Sequence, residues 1–370
     1  MKLYLKILII LVFGLMLLGS IMVFTASGTY SLSKFDNIYT LFKSHLWKVF
    51  IAIGLMIYFA GFQYDRYRKI SKWALIGIIV VLVFTLIIAP KVKGAARWID
   101  LGFLKFQPSE AAKVLLIIHL AVMIEKLGDK IKDFKEGFMF PLIWITIICG
   151  LVIIQPNVST SMIIALTSFA LLYVGGARLK HILLIFLTAG SAVGSIVMFF
   201  SHSRERVITY INSLLTGSDI NIQVTQAKIA LGSGGLTGIG IGQSRQSDLF
   251  LPESYGDFIF SILGEELGFV GAATVLTCYL LLFLFCLVIA KKSQDKFGQL
   301  LVFGLSFNIM LSAMINAGVV TGLLPTTGIT LPFISFGGTS IIILGISIGI
   351  IINVARITMK TEELRIAQVG

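Results

Sequence analysis

Charge is what this sequence has least of. Only 13% of its 370 residues are Asp, Glu, Lys or Arg, against about 25% in ordinary globular domains. With 57% hydrophobic residues and a mean hydropathy of +0.96, there is too little polar surface to cover a water-facing globule. A soluble fold is excluded, and the bilayer must be part of the solvent. Cysteine is scarce as well: Cys149, Cys278 and Cys286 all lie in apolar runs, which gives neither a disulfide framework nor a metal spacing. The four histidines, His45, His119, His181 and His202, are scattered without ligand spacing. No nucleophile triad is visible, so metal hydrolysis and Ser or Cys catalysis are unsupported. There is no low-complexity tail, soluble domain or obvious repeat.

Apolar runs are what the chain has in plenty. Ten of them approach the roughly 20 residues that a helix needs to cross a bilayer: 7–26, 46–62, 73–89, 109–124, 138–154, 158–174, 181–200, 269–290, 300–324 and 340–357. They are continuous and lack two-residue alternation, which favours helices over a barrel. The first is too long and unbroken for a cleaved signal peptide. The expected fold is an all-α polytopic membrane protein, one domain over 1–370, with a large extracytoplasmic segment at about 201–257 between spans seven and eight. That segment contains helix-compatible pieces at 204–215 and 224–231, and 258–268 reads as an extra helical turn or a re-entrant piece. Trp47, Trp73 and Trp98 near span ends resemble interface belts.

The net charge of +12 divides by side. With the N-terminus inside, eighteen Lys and Arg fall in short inner segments such as 66–72, 126–135 and 291–296, which satisfies the positive-inside rule for an N-in, C-in chain. Twelve remain outside: Lys34, Lys43, Lys48, Lys91, Lys93, Arg97, Lys105, Lys113, Arg204, Arg206, Lys228 and Arg245. Several crowd into 91–105, where Gly94, Ala95 and Ala96 leave room for a phosphate. Loop solubility would explain them equally well; the sharper reading is an anionic partner on the outer face.

Ionisable groups at or near hydrocarbon are functional candidates by default. Glu110 and Lys113 stand three apart after Pro108, spaced to pair with each other, as a structural pair or a substrate contact. Glu265 and Glu266 read first as a solvated helix start or a polar link to another helix. Asp257 ends the long segment just before Phe258, Ile259 and Phe260, at the water–lipid boundary. Burial there would make it a better general base near neutral pH, although a helix N-cap Asp would occupy the same place. The glycine run 232–242, GSGGLTGIGIG, follows no expected strand, so it reads as a flexible or close-approach loop rather than a dinucleotide site.

Four long segments, taken together, resemble the SEDS family of polytopic cell-wall proteins, which includes FtsW and RodA. KGAARWIDLGFLKFQPSEAAK (93–113) is similar to KGAxRW…QPSE…K; QVTQAKIALGSGGLTGIGIG (223–242) to QxxxALGSGGxxGxGxG; LPESYGDFIFSILGEELGFVG (251–271) to LPExHTDFIFxxxxEELGFxG; and PTTGITLPFISFGGTS (325–340) to PxTGxxLPFxSYGGSS. Three departures stand out: Tyr255-Gly256 in place of His-Thr, QPNVST with Asn157 and Ser159 in place of QPDLGT, and Phe336 in place of Tyr. Thr330 and the MVFTAS segment (22–27) lean toward the FtsW division branch.

The resemblance implies a peptidoglycan glycosyltransferase of the bacterial cytoplasmic (inner) membrane, polymerising lipid II on undecaprenyl diphosphate into β-1,4-linked glycan. It implies Asp257 as the essential aspartate. The substrate-binding expectation covers Arg97, Glu110, Lys113, Lys93, Lys228, Arg245, Ser233, Gly234, Gly235 and Glu253. No metal ligand set is expected and no cofactor is certain, with Mg²⁺ or Mn²⁺ left open as an aid to the leaving diphosphate. Implied partners are a single-span class B penicillin-binding protein, division or elongation proteins and membrane lipid, and not nucleic acid. A lipid-precursor flippase and a non-catalytic division scaffold are the competing readings.

Overall fold

A computed structural model describes the backbone of residues 1–89, 97–102, 104–199, 201–216, 221–248 and 250–369, without the side chains of 189, 191–193, 195–199, 201–203 and 365–369. Lys91, Lys93, Gly94, Ala95 and Ala96 lie outside the described residues. Each of the ten expected runs is a helix: α1 Lys2–Phe35, α2 Thr40–Gly61, α3 Asp65–Ile88, α4 Pro108–Leu127, α5 Met139–Ile154, α6 Val158–Val174, α7 Leu179–Phe199, then α10 Ile259–Lys292, α11 Lys296–Val320 and α12 Gly338–Val369. Between α7 and α10 lie α8 Ser201–Thr216 and α9 Ile222–Ser233, close to the two helical pieces expected in the long segment. A two-residue hairpin, β1 Ile99–Asp100 against β2 Lys105–Phe106, precedes α4.

Among the described residues, seven helices are long and apolar enough to cross a bilayer: α1, α2, α3, α5 with the turn before it, α10, α11 and α12. The other three of the ten fall short for separate reasons. The α4 helix carries Glu110, Lys113, Glu125 and Lys126, the α6 helix has 17 residues, and α7 is apolar and described in full only over its first half.

Burial sorts these helices into centre and rim. In α11 and α12, 72% of the apolar window is buried, against 28% in α3. The rim helices turn Phe50, Ile57, Trp73 and Ile87 outward, as lipid-facing positions require. The α10 and α11 pair, the α3 and α4 pair and the α2 and α12 pair make the broadest contacts. At the end where α3 and α11 begin and α4 finishes, Arg68 pairs with Asp65, Glu125 and Asp295. Tyr64 donates to Asp295 at 2.8 Å. One guanidinium thus ties three helices through a bidentate fork on Glu125, 3.0 Å to each oxygen.

The α2–α12 contact depends on missing side chains. A Cβ at Gly345 would stand 2.4 Å from the Ala52 carbonyl oxygen, and one at Gly349 2.6 Å from that of Met56. Small residues four apart let two backbones touch, which replaces the hydrophobic drive that lipid does not supply. Gly349→Val should therefore lower stability by about 1–3 kcal/mol through overpacking, read as an earlier thermal unfolding of the purified protein in detergent. Gly14→Val, where a Cβ meets nothing within 4 Å, should leave that transition in place.

Candidate active site

The opposite end, where α4 and α12 begin and α11 finishes, gathers the four motif segments. Gln107 occupies the N-cap of α4 with Pro108 at the first helical position, a favourable start because proline has no N–H to leave unpaired. The Gln107 N–H donates to Thr339 Oγ1 at 2.8 Å, and Thr339 Oγ1 donates to the Lys105 carbonyl at 2.9 Å. These bonds tie the hairpin and α4 to the start of α12. Asn157 Nδ2 reaches Ser109 Oγ at 3.5 Å. Arg97 donates to the carbonyls of Gln155, at 3.3 Å, and Pro156.

Asp257 stands where these segments meet. Phe258 takes the N-cap position of α10, with no side-chain cap, so Asp257 is not the N-cap residue. Its own carbonyl accepts from Asn316 Nδ2 at 2.7 Å, and the same amide reaches the Ile329 carbonyl at 2.7 Å. Ser335 Oγ donates to the Gly256 carbonyl at 2.7 Å while accepting the Leu331 N–H at 2.8 Å. The Phe336 N–H bonds the Tyr255 carbonyl at 2.9 Å. The 325–340 segment thus holds the backbone just before the aspartate, and Asn316 of α11 holds its carbonyl. Gly328 lies against the carboxylate itself: with φ 74°, its absent Cβ would come 3.2 Å from Asp257 Oδ2.

Two guanidiniums share the electrostatics of that carboxylate. Burial lowers the pKa of both Arg97 and Arg206, and the charge of Arg206 presses Arg97 down further; Asp257 pulls both back up. The charge of one carboxylate is thus felt by both guanidiniums. Arg206 also donates to the Thr326 carbonyl at 3.2 Å. It lines a cleft with Tyr210, Asn221, Gly322 and Pro325. Lys228 lies beside that cleft, its Nζ 2.7 Å from where a Gly322 Cβ would stand.

Tyr255, at the first departure from the family pattern, faces Phe336 edge-on at 5.7 Å and Tyr30 at 5.2 Å. Burial pushes its phenol well above the ordinary tyrosine range, with the charge of Glu253 next. It is a neutral hydroxyl at any working pH. Glu253 itself is exposed and holds φ 59°, a left-handed conformation that favours glycine. Its carbonyl accepts the Gly256 N–H at 2.9 Å to close the turn before Asp257.

The remaining sequence candidates divide into two groups. Lys113 pairs with Glu110 at 2.9 Å, with the two side chains 9% and 14% exposed. Ser233, Gly234, Gly235 and Arg245 surround the first turns of α10 instead. Glu265 accepts from Ser233 Oγ at 3.3 Å, from Ser244 Oγ, and from the N–H groups of Arg245 and Gln246 at 3.3 and 3.4 Å. Glu266 accepts from Thr25 Oγ1 of α1 at 3.2 Å. Both glutamates are buried, so they link elements rather than begin a solvated helix. Gly235 and Leu236 carbonyls accept the N–H groups of Phe269 and Val270 across a break at Gly268, φ 69°. The glycine run is a close-approach loop.

Two residues at the site stood unranked in the sequence. Arg206 was one cation among twelve, with nothing local to separate it from Arg204. Asn316, a polar side chain deep in an apolar span, carried a usable signal, because such groups need a partner in lipid. Among the described residues, no three His, Cys, Asp or Glu side chains come together as a metal site.

The Glu110–Lys113 pair is testable by itself. Lys113→Met should cost about 3–5 kcal/mol because it leaves a buried carboxylate alone, whereas Glu110→Gln with Lys113→Met should recover most of it. Thermal unfolding in detergent separates the two cases; equal losses would show that the charges are not coupled.

Comparison with known proteins places this architecture. The Cell cycle protein profile of FtsW, RodA and SpoVE matches residues 5–360. The probable peptidoglycan glycosyltransferase FtsW of Geobacter sulfurreducens is 33% identical over 340 residues, covering 91% of each chain. Stage V sporulation protein E of Bacillus subtilis is 34% identical over 94% of this chain and 96% of its own. Among solved structures, a chain of a peptidoglycan synthase complex that polymerises and crosslinks superposes with a TM-score of 0.75, at 23% identity over 95% of this chain and 97% of its own. The rod shape determining protein RodA of Thermus thermophilus does so with 0.70, at 22% identity over 94% and 95%. The fold is thus RodA-like, and the chain belongs to the FtsW/RodA/SpoVE family of cell-cycle proteins.

Proposed function

We propose that this protein is a peptidoglycan glycosyltransferase that polymerises lipid II, with Asp257 as general base. The observation that carries the reading is a carboxylate whose charge acts on two half-buried arginines, Arg97 and Arg206, at the end of the helix bundle where the family's motifs converge. Its relatives' names supply the activity class.

The chemistry follows from the geometry. Asp257 takes the proton of the acceptor's GlcNAc 4-hydroxyl as that oxygen attacks the donor's anomeric carbon. The bond from that carbon to the diphosphate oxygen breaks with inversion from α to β, and the electron pair leaves with the diphosphate. Arg97 and Arg206 face the charge that develops there, and a planar guanidinium suits phosphate oxygens better than a point charge. Asn316 and Ser335 hold the backbone around Asp257, which keeps the base aligned without rearrangement. Glu110 and Lys113 act as a neutral, buried pair supporting the first turn of α4. The prenyl tail stays in lipid.

The finer reading rests on the same resemblance. The ten helices are ten spans with both termini inside, so Asp257 faces the outer side of the bacterial cytoplasmic membrane. A crosslinking transpeptidase of the class B penicillin-binding type is the partner, in keeping with the synthase complex that shares the fold. The division branch is the assignment, on Thr330 and the FtsW relatives.

Asp257→Asn should insert and fold normally while polymerisation of purified lipid II falls by about two to four orders of magnitude. Wild-type rates in that variant would remove Asp257 as the base, and headgroup translocation in proteoliposomes without polymer would favour the flippase. The pH profile gives a second test. A general base works only as the anion, so activity should fall as acid protonates Asp257, and the neutral Tyr255 phenol should add no alkaline limb. Tyr255→His restores a titratable neighbour and should add a second inflection at roughly pH 6–7, near the ordinary histidine value. An unchanged profile would show that position 255 does not communicate with the base.

A further inference from the structure

The α2 helix carries two buried ionisable residues, one turn apart, that nothing in the reaction above uses. Lys48 is 7% exposed and His45 0%. The Lys48 ammonium donates to Ser44 Oγ at 3.1 Å and lies 4.4 Å from the centre of the Phe336 ring. Among the described residues no carboxylate comes within ion-pair distance of it. His45 lies 6.1 Å from the same ring, and both of its ring nitrogens are buried without a hydrogen-bond partner. A buried cation with no counter-ion beside an unsatisfied imidazole is a costly arrangement in lipid. An anion between them would satisfy both.

The position of this pair is as telling as its chemistry. Phe336, which the ammonium covers, touches Tyr255 edge-on, and its N–H bonds the Tyr255 carbonyl, two residues before Asp257. The pair therefore adjoins the turn that carries the proposed base, while Arg97 and Arg206 are anchored at other points, the carbonyls of Gln155 and Pro156 and that of Thr326. The site thus has two separate cationic stations. Joining two polyprenyl-diphosphate-linked sugars requires two: the donor's diphosphate departs, while the acceptor's stays attached to the lengthened chain.

We propose that His45 and Lys48 form a second diphosphate subsite, which holds the acceptor's headgroup while Arg97 and Arg206 hold the donor's. Lys48 supplies the charge, and His45 and Ser44 supply hydrogen bonds to phosphate oxygens. This assignment rests on the polymerase reading for the identity of its ligand, and its test does not require turnover.

The test is equilibrium binding of undecaprenyl diphosphate to the purified full-length protein in detergent. Wild type should take two equivalents. Lys48→Gln should take one, or two with the second weakened at least about tenfold, and Lys48→Arg should keep both. His45→Gln should weaken the same equivalent, which guards against a fold defect particular to Lys48→Gln. Inorganic pyrophosphate, which carries the headgroup without the tail, should compete at both stations. One equivalent in wild type overturns the proposal, as does full second-site affinity in both Lys48→Gln and His45→Gln. Pyrophosphate binding at Lys48 while the prenyl compound takes only one equivalent also overturns it. Two Lys48-dependent equivalents in a protein that makes no glycan would uphold the subsite and remove the polymerase reading instead.

Discussion

A carboxylate that cannot reach water must be met by donors, and the architecture around α10 follows from how Glu265 and Glu266 meet that condition. Glu265 draws in two hydroxyls and two backbone N–H groups from the 233–246 segment, and Glu266 draws in Thr25 from α1. Unpaired, either would carry the full penalty of a buried charge. Paired, they fold the glycine run back onto α10. That run in turn completes the helix where Gly268 breaks it, because Gly235 and Leu236 take the N–H groups of Phe269 and Val270. The short helical piece from Ile259 to the break therefore has a fixed direction, and Asp257 sits at its head.

Fixing the head of that piece is only half of what the proposed base needs. The end of α11 and the 325–340 segment supply the rest through backbone contacts: Asn316 of α11 spans the Asp257 and Ile329 carbonyls, Ser335 grips Gly256, and Phe336 grips Tyr255. These bonds go to main-chain atoms, so they position the carboxylate without neutralising it. Charge compensation comes instead from Arg97 and Arg206, each tethered to carbonyls of its own. On the proposed reading, a site organised in this way pays for alignment during folding, and the reacting groups would not have to reorganise at the moment of transfer.

How much of this could be read from the sequence depends on the range of the interaction. The helices were legible because each is a continuous apolar run, and even the helical pieces of the long segment appeared within a few residues of α8 and α9. Asp257 stood out because a lone carboxylate before an apolar run is locally odd. The Glu110–Lys113 pair followed from i,i+3 spacing. Arg206, Ser244 and Gln246 were not separable, since their partners lie tens of residues or more away and nothing in their own neighbourhoods marks them, whereas Asn316 was marked only by being polar within an apolar run. The second register of information, which cations are buried, is absent from composition altogether.

That register changes the meaning of the twelve outer basic residues. As a group they could be solvating charges, and Arg204 and Arg245, both exposed, are consistent with that. Burial makes four of the others individual. Lys113 is cancelled by Glu110, Arg97 and Arg206 are balanced against Asp257, and Lys48 is covered by an aromatic ring with no carboxylate beside it. A chain with so few charges cannot bury a cation without cost, and the cost differs at each of these places because the compensation differs. Where compensation is complete the charge is structural; where it is incomplete the deficit is an affinity for an anion. The outer positive balance is thus a small number of graded vacancies in charge, set around one carboxylate.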